Sequence, residues 1–284
     1  MTRVVASRPP VQSVPTQVRT AILLIVLQLT PIIFLLKGTN STDWILFAVI
    51  YPLQSIGVGV SLHRYFAHRS FKTSRWFQFI MALMAASVFG DAVRFTGKHR
   101  LHHRYSDTTN DTHTPMKGFW SCWYGSLLDN GYTDDELCDA ARDLRKYPEL
   151  MLLHRYWMVP GLVLCGIAFL IGGMSSVAIG VLLGSALLMN QAAAVNYFCH
   201  KYGRRRFDTR DRSTNNALIA ALSFGEGWHN NHHHYPATAR AGFHWWEVDM
   251  YYWAIWLFEK LGLVWDVRQP TQEMLDKTLI PKTA

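Results

Sequence analysis

The stretch AILLIVLQLTPIIFLL, residues 21–36, decides the fold class, because it contains no charged side chain. A helix that spans a bilayer needs about 20 apolar residues, with a range of about 17 to 25. Three further uncharged runs occupy residues 44–60, 157–174 and 177–195. All four are short, which fits a thin bilayer or a small tilt. The runs predict an all-α integral membrane protein with four transmembrane helices in two hairpins; a soluble bundle of buried helices is the alternative.

The composition of the whole chain agrees with a membrane protein. Half of its 284 residues are hydrophobic and 17% are charged, whereas soluble domains average about 25% charged residues. The net charge of +8 could indicate nucleic acid, a membrane surface or an anionic substrate as partner. Membrane topology explains the basic residues, so we expect membrane lipids and no nucleic acid as partners. The four cysteines lack CxxC spacing, which favours unpaired thiols in a reducing compartment.

Basic residues set the predicted orientation. The linkers 37–43 and 175–176 contain one lysine and no arginine. Nearly all other basic residues lie in the N-terminal segment and in the long segments 61–156 and 196–284, which the positive-inside rule places in the cytoplasm. The apolar run at 77–89 is too short to span, so we expect a re-entrant, interfacial or buried helix. The predicted organisation is a cytoplasmic tail over 1–19, one membrane domain with a cytoplasmic helical cap over 20–267, and a cytoplasmic tail over 268–284.

Ten of the thirteen histidines lie just beyond predicted membrane ends. They are His63, His68, His99, His102, His103, His200, His229, His232, His233 and His234. The pattern HxxHH occurs at 99–103 and 229–233, and it places three rings on one face of a helix. Two such faces, opposed, can enclose two metal ions. His63 and His68 are five residues apart, so we expect a helix end with both rings turned inward, and His200 completes the set. The alternative is an exposed, metal-scavenging tract.

The type of ligand limits which metal ions could bind. Imidazole suits Zn, Cu, Fe and Ni, and structural zinc takes four ligands. About nine nitrogens with no thiolate fit two ions in a redox or oxygen-using centre better than one zinc ion. Carboxylates should orient the rings and offset the metal charge. Asp107, Asp111 and Glu226 lie close to the histidines in sequence, although each could instead be a helix cap or an arginine partner.

These motifs resemble those of the membrane fatty acid desaturases of the acyl-CoA (stearoyl-CoA, Δ9) type. The family pattern HxxxxH, HxxHH, NxxxH and GEGxHNxHHxxP reads here HRYFAH, HRLHH, NYFCH and GEGWHNNHH, between about Ile56 and Val267. The resemblance implies an enzyme, an O2-dependent oxidoreductase that inserts a cis double bond into a saturated acyl chain at two iron ions. The implied iron ligands are His63, His68, His99, His102, His103, His200, His229, His232 and His233, with Asn196 acting through water. His234 has no counterpart, although a slip that replaces His233 by His234 is an alternative.

The chain departs from the family after the motif GFW. Cys122 stands where a histidine is usual, and acidic residues stand where several acyl-CoA members have a basic pair. They are Asp129, Asp134, Asp135 and Glu136. Acidic residues repel phosphate, so substrates bound to coenzyme A, to a lipid or to a carrier protein all remain open.

The substrate has no polar group at its reacting carbons, so catalysis must depend on positioning. We expect a bent apolar tunnel between cap and membrane helices. Phe47 and Tyr51, i and i+4 on the second span, are candidates to close its far end; packing between helices is the alternative. Tyr51 precedes His63 by twelve residues, which is roughly 18 Å along a helix.

The reaction implied by the resemblance needs two electrons per turnover. The sequence shows no haem, iron–sulfur or flavin motif that could supply them, so we expect them to come from another protein. A cytochrome b5-like, ferredoxin or rubredoxin-type donor is expected, and a basic cap suits an acidic donor. One rival is a membrane diiron hydroxylase of fatty acids or lipids. Another is a non-catalytic membrane metal-binding protein, whose ligands should lie within the spans. We expect a multi-pass protein of a bacterial inner membrane.

Overall fold

A computed structural model describes residues 10–276, and they are mostly helical. This confirms a mostly helical fold, although the all-α prediction did not include a short two-stranded sheet. The outer parts of both predicted tails, residues 1–9 and 277–284, lie outside the described residues. The α-helices are α1 (Val14–Lys37), α2 (Ser41–Ile56), α3 (Arg75–Ala86), α4 (Ala92–Tyr105), α5 (Ser126–Leu128), α6 (Asp134–Ala140), α7 (Pro148–Arg155), α8 (Val159–Ser175), α9 (Leu183–Phe198), α10 (Ala217–Leu222), α11 (His229–His234), α12 (Met250–Lys260) and α13 (Gln272–Asp276).

Shorter elements complete the fold. Three segments are wound as π-helix: Gly57–Ala67, Ser121–Gly125 and Ser176–Leu182. Pro115–Lys117 forms one turn of 3-10 helix. Strands β1 (Lys72–Thr73) and β2 (Val264–Trp265) pair antiparallel and bring the C-terminal part of the chain against the segment that follows the first histidine motif.

Within residues 10–276, three helical stretches are long and apolar enough to cross a membrane: Val14–Lys37, Ser41–Ala67 and Val159–Phe198. The third has 40 residues and breaks at Gly172 and Gly173. Gly173 has a φ of 72°, a left-handed conformation that glycine adopts without a steric penalty. Ala168 shares an apolar cluster with Val181, so the chain folds back after the break. The break therefore lies before residues 175–176, which are helical and not the predicted linker.

Helix α2 continues as the π-helix Gly57–Ala67 and ends at His68. A π-helix has i→i+5 hydrogen bonds, and the His68 N–H donates to the His63 carbonyl oxygen at 3.3 Å. This wider winding turns the two residues toward the same side, with ring centroids 5.1 Å apart. The predicted helix end is therefore present, and the winding explains how both rings face inward.

The apolar run at 77–89 begins inside helix α3, which Ser74 caps by accepting a hydrogen bond from the Phe77 N–H. One face of α3 is buried, including Phe77, Met81 and Ala85, while Trp76 is exposed. The buried face joins the main core, which also holds Phe66 from the π-helix. This core supports the segments that carry the first two histidine motifs.

Candidate metal centre

The structure brings all nine predicted ligands together, from four separate parts of the chain. They come from the π-helix and its end, from α4, from the residues just after α9, and from α11. They form two groups whose ligand atoms lie within 4.8 Å of one another. The first group is His63, His68, His99 and His232, with His103 beside it. The second group is His102, His200, His229 and His233.

The Nε2 atoms of the first group are too close together for hydrogen bonding alone. The Nε2 of His99 lies 2.8 Å from that of His68 and 3.0 Å from that of His103. The Nε2 of His232 lies 3.0 Å from those of both His63 and His103. An imidazole nitrogen offers one proton or one lone pair, so His99, His103 and His232 cannot satisfy two neighbours each. Two nitrogens about 2.1 Å from one ion, at a right angle, would lie about 3.0 Å apart.

The second group also has the chemistry of a metal site. The Nε2 atoms of His200 and His229 lie 3.1 Å apart. The buried Nε2 atoms of His102 and His233 have no hydrogen-bond partner among the described residues. A buried polar atom without a partner costs about 1–3 kcal/mol, which an ion between the rings would remove. The nitrogen ligands of both groups therefore fit a pair of metal ions.

Each HxxHH helix serves both groups. On α4, His99 and His103 face the first group and His102 faces the second. On α11 the arrangement is reversed, because the i, i+4 pair, His229 and His233, faces the second group. The rings of the two helices therefore meet in both groups, and each helix links the two groups. Metal ligation itself stays a prediction.

Four carboxylates accept hydrogen bonds from Nδ1 atoms of these rings. The pairs are Glu226 with His63 (2.7 Å), Asp111 with His102 (2.9 Å), Asp107 with His200 (2.9 Å) and Asp211 with His233 (2.6 Å). A proton held on Nδ1 leaves the Nε2 lone pair free for a metal. Three of the four acids were predicted. Asp211 was missed, because it lies 22 residues before its partner, in an irregular loop without a motif.

Burial sets the charge of the site. Burial and the neighbouring rings lower the pKa of His99 and His229 well below the usual range, so both rings are neutral at pH 7. Metal ligation requires neutral imidazole. Burial by itself raises the pKa of Glu226, but His63 and Arg64 lower it to about 2. The site therefore combines neutral ligands with charged carboxylates that can offset a cation.

A mostly apolar cavity of about 260 Å³ lies beside the two groups. Leu188 and Val195 of α9 line it, and so does the predicted residue Asn196. Phe47 and Tyr51 do not line it: their rings stack on each other at 4.9 Å. The Tyr51 hydroxyl accepts a hydrogen bond from the cavity residue Gln191 at 3.0 Å. Tyr51 thus lies directly behind the cavity lining, and its role at a tunnel end stays a prediction.

The unusual residues after GFW have structural partners. The buried Cys122 thiol donates to the His113 carbonyl oxygen at 2.9 Å, and burial raises its pKa to about 12. One oxygen of Asp129 accepts hydrogen bonds from the backbone N–H groups of residues 11 and 12, at 2.7 Å each. Asp134 pairs with an arginine of α4. These contacts give the cysteine and the two aspartates a role within the fold.

Two further histidines lie near the centre. The His234 ring stacks on Phe207 at 4.4 Å and belongs to neither group. His113 was not predicted, because no helical spacing links it to an HxxHH motif. Its ring stacks on His102 at 4.1 Å, and its buried Nε2 has no partner among the described residues. With His102 and Asp111 it forms a third group that could hold an ion.

The sequence is similar to those of several known proteins. The family model for fatty acid desaturase matches residues 42–267. The chain is 35% identical over 237 residues to Delta-9 acyl-lipid desaturase 2 from Arabidopsis thaliana, covering 82% of this chain and 77% of that protein. It is 35% identical over 232 residues to Acyl-CoA C20 Delta5-desaturase from Anemone leveillei, covering 81% and 74%. It is 35% identical over 249 residues to Hex-5-enoyl-(acyl-carrier protein) acetylenase from Moorena producens (strain JHB), covering 80% and 77%.

Proposed function

Because this chain belongs to the fatty acid desaturase family, it is an oxidoreductase that desaturates fatty acyl chains, and we propose that it does so at two iron ions. The observation that carries the proposal is the first histidine group, in which three Nε2 atoms each have two close Nε2 neighbours. An apolar cavity beside this group supports an acyl substrate.

The two groups divide the proposed ligands. One ion would bind His63, His68, His99, His103 and His232, and the other would bind His102, His200, His229 and His233, with Asn196 acting through water. Iron held there would supply, from O2, the oxidising power that hydrogen removal from an unactivated methylene requires. Loss of two hydrogens from the chain and reduction of O2 to two waters consume two electrons and two protons. A separate electron donor of the cytochrome b5, ferredoxin or rubredoxin type is therefore part of the proposal.

The protein's own side chains position the substrate. The apolar cavity excludes water and holds the acyl chain, while Asp107, Asp111, Asp211 and Glu226 fix the ring orientations. We place the far end of the chain against Gln191, with Tyr51 behind it. We assign the double bond to the Δ9 position because of the family resemblance and the name of the Arabidopsis relative. The name of the Anemone relative gives Δ5 instead.

The proposal also includes the membrane topology. The chain crosses a bacterial inner membrane four times in two hairpins, and both termini and the histidines lie in the cytoplasm. The fold-back after Gly173 supports a second hairpin. The scarcity of basic residues in the linker 37–43 and around residues 175–176 supports the orientation.

The test is mass spectrometry of total fatty acids from a host that expresses the chain, with double bonds derivatised to show their position. His229→Ala removes a proposed ligand, and His234→Ala is the matched control from the same short helix. We expect a new monounsaturated acid from the intact chain and the control, and none from His229→Ala. Purified intact protein should contain about two iron ions, and His229→Ala fewer. A hydroxy acid as the only new product would contradict desaturation.

A further inference from the structure

A lysine lines the apolar cavity. Lys98 precedes His99 on α4, and its Nζ donates a hydrogen bond to the Ser126 carbonyl oxygen at 3.0 Å. An ammonium group has three donors, and this is its one hydrogen bond to the described residues. No Asp or Glu within residues 10–276 forms an ion pair with it. A partly buried charge without a paired carboxylate is costly in a mostly apolar cavity, so we expect the remaining donors of Lys98 to bind another acceptor.

Lys98 is also in a distinctive place. It is the one lysine or arginine among the described residues that line the cavity. Its partner Ser126 and the nearby His113 line both this cavity and a second, polar pocket of about 200 Å³. Asn130 and Lys117 line that polar pocket. Lys98 therefore lies beside the junction of an apolar and a polar compartment.

An acyl substrate likewise has an apolar part and a polar part. Its hydrocarbon chain is apolar, its carrier is polar, and an ester or thioester carbonyl joins the two. With the chain in the cavity and the carrier toward the polar pocket, the carbonyl oxygen falls at the junction. We propose that the Lys98 Nζ donates a hydrogen bond to this carbonyl oxygen and so fixes which carbons of the chain lie at the histidine groups. This inference rests on the proposed acyl substrate but not on turnover.

A fixed anchor has a measurable consequence. If the carbonyl is held at one point, a fixed number of carbons separates it from the carbons beside the metal centre. The double bond then forms at one position. Without the anchor the chain can slide. A lysine that only joins α4 to α5 through Ser126 would affect stability and leave both binding selectivity and double-bond position unchanged.

The experiment compares ligands with and without a carbonyl. Binding of stearoyl-CoA and of its thioether analogue is measured on purified full-length protein, and likewise an ester phospholipid and its ether analogue. The variants are Lys98→Met and Lys98→Arg, with Lys72→Met as control because Lys72 forms an exposed ion pair with Asp266. Intact protein should prefer one carbonyl ligand over its analogue by roughly 10-fold or more, as expected for a charge-assisted hydrogen bond. The pair that shows the preference identifies a thioester or an ester substrate.

Lys98→Met should lose this preference, and Lys98→Arg should keep part of it. In the fatty acid assay, Lys98→Met should give several double-bond positions where the intact chain gives one. Equal preference for carbonyl ligands in the intact protein and in folded Lys98→Met would overturn the inference. A preference that depends on Lys98, in a protein that forms no unsaturated acid even when an electron donor is supplied, would support the anchor and refute the proposed reaction.

Discussion

Single carboxylates orient the histidine rings that we propose as metal ligands. Asp211 accepts hydrogen bonds from the His233 Nδ1 at 2.6 Å and from the Ser213 N–H at 2.9 Å. Burial by itself raises the pKa of Asp211, but these hydrogen bonds lower it far below the usual range. The carboxylate is thus charged at pH 7, and it accepts the Nδ1 proton of His233.

We expect Asp211→Asn to lower the affinity for iron by about 10- to 100-fold, the usual effect of losing such a carboxylate. The amide can turn an N–H group toward His233, which destabilises the required tautomer. The measurement is iron content during titration with a chelator. Asp208→Asn is the matched control, because the Asp208 side chain is 91% exposed. Equal iron retention in the two variants would show that Asp211 does not orient a ligand.

At the scale of elements, α4 must lie very close to α6. A Cβ atom on Gly97 would overlap the Leu137 carbonyl oxygen, which is a backbone atom and cannot rotate away. Gly97 lies between the start of α4 and the three histidines of its HxxHH motif. The absence of a side chain at this position therefore lets α6 support the part of α4 that carries the HxxHH motif.

Gly97→Ala should lower the free energy of unfolding by about 1–3 kcal/mol, the usual cost of overpacking. It should also reduce iron content, since α4 must shift. The measurement is thermal unfolding in detergent together with iron analysis. Gly166→Ala on α8 is the control, because nothing lies within 4 Å of its added Cβ, and alanine favours a helix. A Gly97→Ala protein as stable as this control would contradict the tight contact.

At the scale of the whole molecule, Arg64 joins distant parts of the chain. Its guanidinium donates to the Ala239 carbonyl oxygen at 2.7 Å and pairs with Asp249 at 2.9 Å and with Glu226 at 3.1 Å. Arg64 and Asp249 are buried, with side chains 3% and 2% exposed. Since Glu226 also accepts a hydrogen bond from His63, this ionic group connects the histidine groups to the C-terminal part of the fold.

Removing one partner from a buried ion pair costs about 3–5 kcal/mol, because the other charge stays buried. We expect this loss in the free energy of unfolding for Asp249→Asn, measured by denaturant unfolding in detergent. The control is Glu149→Gln. Glu149 pairs with Arg75, whose side chain is 63% exposed. Loss of this ion pair should therefore lower the free energy of unfolding by less than about 1 kcal/mol. Similar losses for both variants would mean that the Arg64 group adds little to stability.

The sequence by itself determined the long apolar helices, the mostly helical fold and the nine histidines that come together. Uncharged runs and i, i+3, i+4 spacing are local properties, since a helix directs each side chain from its own backbone. The same spacing could not assign a ring to a group: His99 and His102 share a helix face but face different groups.

The tertiary structure alone decided the rest. The π winding that turns His63 and His68 together depends on how that segment packs. Asp211 reaches His233 across 22 residues, and Lys98 reaches Ser126 across 28. Spacing along the chain fixes the direction in which a side chain leaves its helix, whereas its partner depends on which other element packs there. Contacts of that kind follow from the packing of the whole chain, so no local sequence pattern predicts them.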